Sequence, residues 1–374
     1  MNVDLRLIPK KDLEALMNDD ELWNGKFLIG TLHRYYAHQS NPTASLDDIV
    51  LLLAFLNENL VGYMGVFIDK IYVNKKEDKI GWLSTWWLDP NTAGKGIGKQ
   101  MLSKMYEAQG GKIGISQYTP SAKRVYDKSG FFRNLNSLVG CKMDVRLNLE
   151  YLLPSKYPSL NKVSGLLSVV DSVSNVFLNG RLSLAKKVYY KDLKSYSLEY
   201  YSYIPKKLEE FIAKHGKDSF CIRDKKFFEY LKKYHWIQEA PLMKLVQDRK
   251  KYYFSSYNSS FNIYLTSIKN SLGEIIGFFV LLRKDLELKV LQIYYDSEFV
   301  SEISKSIILH AIELNCRTII TYDLGVTNFF KQSSSMAKLR FKSKSRASII
   351  SKVFGDFDSS EYKFQYGDGD CSFA

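Results

Sequence analysis

The sequence predicts an α/β (α+β) chain in which mixed sheets flanked by helices are built twice in tandem. Three observations carry this. Residues 49–56 (IVLLLAFL) and 60–68 (LVGYMGVFI) are apolar runs flanking the turn-like Asn57-Glu58-Asn59, and they read as a hairpin. A glycine-rich segment at residues 94–98 then joins a strand to a helix. Finally, the second half of the chain repeats the order hairpin, strand, helix, strand, helix.

Taken in order, Lys79 to Leu88 (KIGWLSTWWL) is a strand ended by Asp89-Pro90-Asn91, and KQMLSKMYEAQ is the helix after the glycines. A short strand follows at Lys112 to Gln117. The next helix, Pro120 to Ser129, starts with proline in its first turn and exits through Phe131 and Phe132. These elements make a first domain of residues 1–150. Residues 151–190 read as an amphipathic linker helix, because Leu160, Val163, Leu166, Leu167, Val170, Val173 and Phe177 recur at roughly helical spacing. Interdomain packing is the expectation for that face, with docking of a basic helix at a membrane interface as the rival. Asp171 and the interspersed Ser and Asn exclude a membrane span. Residues 191–374 are the second domain: the hairpin IYLTSIKNSLGEIIGFFVLL, the strand LKVLQIYY, the helix SEISKSIILHAIELN, the strand RTIITYD and the helix VTNFFKQSS. Tyr252-Tyr253 and Tyr294-Tyr295 read as strand residues.

The 374 residues hold 53 Lys and Arg against 40 Asp and Glu, a net charge of +13, which favours anionic partners. No block of five or six like charges appears, so nucleic acid is not favoured over small phosphorylated ligands. Cys141, Cys221, Cys316 and Cys371 are far apart and show neither metal-ligand spacing nor a disulfide framework. The charged N-terminal segment lacks a signal peptide's apolar core, so a cytoplasmic setting is expected. His215, His235 and His310 stand apart in sequence, with no metal or triad spacing, and no metal is expected. Gly367-Asp368-Gly369-Asp370 lacks the remaining ligands of a calcium loop and reads as a turn.

The chemistry concentrates in Gly94-Lys95-Gly96-Ile97-Gly98-Lys99. Between strand and helix, its amides point outward at the positive end of the helix macrodipole and form a phosphate cradle, with Lys95 and Lys99 adding charge. The loop has no Gly-Lys-Ser/Thr and is no P-loop. Nor does GxGxG make a dinucleotide fingerprint. Alternation along the strand puts Thr85, Trp87 and Asp89 on one face and Ser84, Trp86 and Leu88 on the other. Asp89 is then the one carboxylate at this mouth, either a proton acceptor or the start of a turn.

Leu88-Asp89-Pro90, the loop, and Thr119-Pro120-Ser121-Ala122-Lys123-Arg124-Val125-Tyr126 through Gly130-Phe131 together resemble the GNAT superfamily of acyl-CoA-dependent N-acetyltransferases. Leu88 to Pro90, Gly96, Gly98, Ala122, Tyr126, Gly130 and Phe131 fall on the family pattern; Ala93 replaces the usual Arg or Gln, and Thr119 the usual Asn. The resemblance covers residues 1 to about 148 and, by element order alone, extends to a degenerate second GNAT-like domain. It implies acetyl-CoA as co-substrate between two splayed strands, pantetheine pairing along Trp86 to Leu88, and pyrophosphate on the amides of Gly94 to Lys99, with Thr119 and Ala122 nearby. It implies Tyr126 as the acid that protonates the departing thiolate; the candidate base, Asp89, comes from the strand alternation above. His33, Tyr35 and Tyr36 fall in the region that lines the acceptor side in this family. The implied function is transfer of acetyl to a primary amine of a small molecule. An amino sugar on a nucleotide carrier, in surface-polysaccharide biosynthesis, fits the resemblance and the positive charge. The second domain would complete the acceptor site or scaffold a homodimer. The alternative is a catalytically inactive tandem module that binds or scaffolds without turnover.

Overall fold

The computed structural model describes residues 3–19, 29–239, 257–332 and 337–373; Tyr252-Tyr253 lies outside them. In chain order the first elements are β1 (Val3–Pro9), α1 (Leu13–Met17), α2 (Leu32–Gln39), β2 (Ile49–Leu56), β3 (Asn59–Val73), β4 (Lys76–Leu88), α3 (Ile97–Ala108), β5 (Ile113–Ile115), α4 (Pro120–Ser129) and β6 (Phe132–Asp144). Next come α5 (Leu149–Lys156), α6 (Ser164–Asp192), β7 (Ser197–Tyr201), α7 (Lys206–His215), α8 (Lys225–Lys233), β8 (Gln238–Glu239) and β9 (Tyr257–Asn258). The remainder are β10 (Phe261–Lys269), β11 (Ile275–Lys284), β12 (Glu287–Tyr295), α9 (Val300–Glu313), β13 (Thr318–Thr321), α10 (Leu324–Gln332) and β14 (Arg340–Ser351).

The chain divides into two compact units. The first comprises residues 1–138, 202–261 and 346–374, the second 139–201 and 262–345. These bounds differ from a cut at residues 150 and 190, and the reason is topological. In the first unit the strand order is β1-β2-β3-β4-β5-β14; β1 to β4 are antiparallel, β4 and β5 parallel, β5 and β14 antiparallel. The second unit follows β6-β13-β12-β11-β10-β7, with β12 and β13 parallel and β6 antiparallel to β13. Each unit's parallel pair is therefore flanked by a strand that the other half of the sequence supplies. Such pairing is non-local and leaves no mark in a window of sequence.

Local chemistry explains the first-unit elements. Asn57 and Glu58 both take left-handed backbone (φ 50 and 64), as do Asn74 and Lys75 (φ 50 and 62), which are the two-residue turns that match strand twist in hairpins. Helix α4 opens on Thr119, whose hydroxyl accepts from the Ala122 amide at 3.2 Å, and closes on Gly130. Met101, Leu102 and Met105 of α3 pack with Met64, Val66 and Leu83 in the core. Beneath the other face a buried bidentate pair, Arg223 to Asp69 at 2.7 and 2.9 Å, ties the segment before α8 to β3, while Trp82 Nε1 donates to the same carboxylate at 3.2 Å. Breaking such a pair costs about 3–5 kcal/mol, because the remaining charge is stranded.

Helix α6 overturns the packing expected of its apolar residues. Its buried side chains are Asp171, Asn175, Leu182, Ala185 and Tyr189, whereas Leu166, Val170, Val173 and Phe177 are exposed, Phe177 to 77%. The physical reason lies at the start of α5. Asp171 accepts from the amides of Leu149 and Glu150 at 2.8 and 3.0 Å and pairs with Arg317 at 3.3 Å, and Asn175 bonds both backbone groups of Leu147. Satisfying these otherwise orphaned polar groups sets the rotation of the helix. None of the four cysteines forms a disulfide.

Candidate active site

The glycine loop sits where the sequence places it. After Leu88, Asp89 caps a short turn at Pro90–Thr92, accepting from the Asn91 amide at 3.0 Å and the Asn91 side chain at 2.9 Å. Gly96 then begins α3 with φ 73, and a Cβ built there meets nothing within 4 Å. A left-handed position in open space at a helix start is what glycine provides at low strain. No earlier turn accepts the first amides of α3, and Lys95 and Lys99 are exposed beside them. Gly98 rests against Trp86, whose ring would lie 3.1 Å from an added Cβ. The Lys95 amide donates to the Thr92 carbonyl at 3.3 Å, and the free amides that begin α3, with open space above them, fit a pyrophosphate.

The strands part beside this loop. Pairing of β4 with β5 consists of Gly81 with Ile113 and Trp82 with Gly114. Past that point a bulge bends β4: Ser84 faces Gly65 and Trp87 faces Tyr63, so Thr85 and Trp86 together oppose Met64. Thr85 takes φ 43, a strained value for a β-branched residue, worth about 1–3 kcal/mol. The bulge corrects the alternation expected from sequence, since Ser84 and Trp87 now share a face while Trp86 and Leu88 turn toward Gly98. Tyr126 of α4 is buried against Trp86 (ring centroids 5.6 Å), Phe132 (5.5 Å) and Tyr118 (6.4 Å). Burial pushes its phenol well above the ordinary value, and the charge of Asp370 adds to the shift. It holds its proton throughout the physiological range.

The acceptor-side candidates separate. Tyr35 is in the core cluster and Tyr36 is exposed to 52%. His33 is half-buried, 4.8 Å from the ring of His235, which therefore is not isolated as its sequence position suggests. Burial lowers both imidazoles, His235 to about 4 with a further contribution from His33, so both are neutral at pH 7. His310 is held by Tyr200 at 2.9 Å and the Ser306 carbonyl at 2.7 Å.

Two residues that sequence reasoning passed over join the site. Asp370 hydrogen-bonds Ser116, which directly follows β5 at the parting of the strands. Gly369, with φ 67, allows this approach, since a Cβ there would lie 2.9 Å from the Trp82 ring. Asp370 is enclosed by protein yet keeps accessible surface, and burial raises its carboxyl above the ordinary value against the opposing pull of Ser116, Arg34 and Arg346. Arg34 is buried between Tyr35 and His33, donates to Ser84 Oγ at 2.9 Å and stacks on Trp236 at 4.2 Å. Asp89 is thus not the one carboxylate near the opening. The tail aspartate came as a turn in sequence because nothing local marks a residue that acts 254 positions from its hydrogen-bond partner. Among the described residues no group of three or more His, Cys, Asp or Glu could hold a metal, and no helix is long and apolar enough to cross a membrane.

Residues 15–131 match the acetyltransferase (GNAT) family profile. No curated protein is detectably similar to the chain by sequence. Among solved structures, a GCN5-related N-acetyltransferase from Anabaena variabilis aligns over 93% of this chain and 72% of its own, with TM-score 0.52 and 8% identity. Saccharomyces cerevisiae N-myristoyltransferase with bound myristoyl-CoA and inhibitors aligns over 93% and 80%, with TM-score 0.50 and 9% identity. At such identities the likeness is one of fold. Residues 15–131, which hold the glycine loop, the bulged strand and Tyr126, are a GNAT acetyltransferase domain.

Proposed function

We propose that the chain is an acyl-CoA-dependent N-acyltransferase, with acetyl-CoA as the expected donor and a small-molecule primary amine as acceptor. The observation that carries this reading is the open, glycine-lined start of α3 beside parted strands, with Tyr126 and Asp370 at the opening. The amides of Gly94 to Lys99 would hold the pyrophosphate, and the backbone from Trp86 to Leu88, freed from β5, would pair with the pantetheine arm. Thr119 and Ala122, at the start of α4, would also touch the co-substrate. Bound there, the co-substrate supplies an activated acyl thioester.

The chain's own residues do the rest. Asp370 takes a proton from the ammonium form of the acceptor so that the nitrogen lone pair is available, and its raised pKa brings it toward that task. Tyr126 keeps a phenolic proton for the departing thiolate. Asp89, engaged with Asn91, serves as a cap. An amino sugar carried on a nucleotide, as in polysaccharide biosynthesis, remains our reading of the acceptor, supported by the net charge of +13.

The test is release of free thiol by the full chain from acetyl-CoA and from longer acyl-CoAs with a panel of amines. Amine-dependent release that Gly96→Glu abolishes supports the reading. Binding of acyl-CoA with no release from any amine would favour the non-catalytic module instead.

A further inference from the structure

The buried arginines differ in how their charge is met. Arg223 has Asp69 in a bidentate pair and Asp368 at 3.7 Å. Arg146 donates to the carbonyls of Cys316 and Ile312 at 2.6 and 3.1 Å and to Asn179 at 3.0 Å. Arg34 is as buried as these, at 6% exposure, but its guanidinium makes one hydrogen bond, to the neutral hydroxyl of Ser84, and lies over the Trp236 ring. Among the described residues no carboxylate comes within ion-pair distance, and Nε and Nη1 donate to none of them. The neighbouring His38 is kept neutral by burial and by Arg34 itself, so it supplies no counter-charge. Asp370 is near enough for its charge to be felt, yet its hydrogen bond goes to Ser116.

A buried guanidinium with no direct ion pair and with donors unused by the protein is costly to keep, and those donors, beside the point where the strands part, are available to a ligand. Its place is informative. Ser84 is the last residue of β4 before the bulge where the strands part, on the face that Trp82, Gly369 and Trp236 share with it, opposite Trp86 and the loop. We propose that Arg34 binds an oxyanion, carboxylate or phosphate, carried by the amine acceptor. A planar fork with free donors suits either group. The acceptor is then an amine bearing an anion close to its nitrogen, a reading that rests on the acyltransferase assignment. The anion site itself does not.

Thermal unfolding of the full chain with excess CoA present, so that the loop's own anion site is occupied, separates the two. Sodium acetate and methyl phosphate are titrated against sodium chloride at matched ionic strength, on wild type, Arg34→Met and Arg34→Lys. One oxyanion should raise the wild-type midpoint above chloride, which also tells carboxylate from phosphate; Arg34→Met should lose the shift and Arg34→Lys keep part of it. Equal shifts in wild type and Arg34→Met, or no oxyanion exceeding chloride, would overturn the proposal. In thiol release, glycine against glycinamide and glucosamine 6-phosphate against glucosamine should differ by about 10–100-fold in kcat/KM for the recognised anion, and Arg34→Met should bring each pair to parity. Parity already in wild type overturns the inference and leaves the acyltransferase reading intact. Absence of release from every amine counts against that reading, while the unfolding shifts still decide the anion site.

Discussion

The two units use the same strand order and differ at one junction. In the first, β4 passes through Gly94, Gly96 and Gly98 into α3, with lysines flanking open amides. In the second, β12 passes through Asp296 and the turn Ser297–Phe299 into α9, with Glu298 and Glu302 where an anion would approach. There Tyr295 donates to Asp323 at 2.8 Å, and that carboxylate also accepts from the Val326 amide at 2.9 Å, so the tyrosine and the acid satisfy each other and the start of α10. In the first unit Tyr126 and Asp370 act on one another by charge while Asp370 bonds Ser116. The framework alone therefore makes no site. Open amides, positive charge and a tyrosine and an aspartate not hydrogen-bonded to each other distinguish the unit to which we assign the chemistry.

The largest break in this contrast is at Asp370. Asp370→Asn should lower kcat by on the order of 10²–10⁴ while leaving acetyl-CoA affinity unchanged, and it should remove the acidic limb of the rate profile. In wild type that limb lies above the ordinary carboxylate range, since burial raises the group. The sign for stability runs the other way. A carboxyl with a native pKa above its unfolded value binds protons better when folded, so stability falls as pH rises through that interval and the penalty persists above it. Asp370→Asn should accordingly raise the unfolding midpoint at pH 7 as it abolishes activity.

Tyr126→Phe comes next, with an expected loss of about 10²-fold in kcat at unchanged binding. The rate should show no alkaline fall from this phenol below about pH 10, because its pKa lies above the ordinary value. Breaking the tyrosine–aspartate pair of the second unit, with Tyr295→Phe or Asp323→Asn, should leave kcat within about twofold and cost about 1–2 kcal/mol in denaturant unfolding, the loss of partly buried hydrogen bonds. The smallest effect is on pH. His235 is neutral when folded, with a pKa of about 4, so its contribution is present above about pH 6.5 and is lost as pH falls from there toward 4. His235→Phe should flatten that part of the stability profile.

What was legible in the sequence was local. The hairpin at Asn57, the glycine loop between strand and helix, and the helix Pro120 to Ser129 with proline in its first turn all follow from neighbouring residues. What was not legible depends on distant chain. The alternation from Ser84 to Asp89 fails because a single bulge, set by pairing with β3, inverts the faces beyond it. The apolar spacing along α6 misleads because Asp171 and Asn175 have backbone groups of α5 and Leu147 to satisfy. Arg34 was hidden between two candidates, His33 and Tyr35, and acquires meaning once Ser84 and Trp236 are beside it.

If one junction binds acyl-CoA and its counterpart does not, each chain takes up a single acyl-CoA. Calorimetric titration of the full chain with acetyl-CoA tests it most directly, with Gly96→Glu alongside. One site per chain is expected in wild type and none in the variant, whose side chain places a carboxylate on the free amides. Two sites per chain, or undiminished binding by Gly96→Glu, would contradict it.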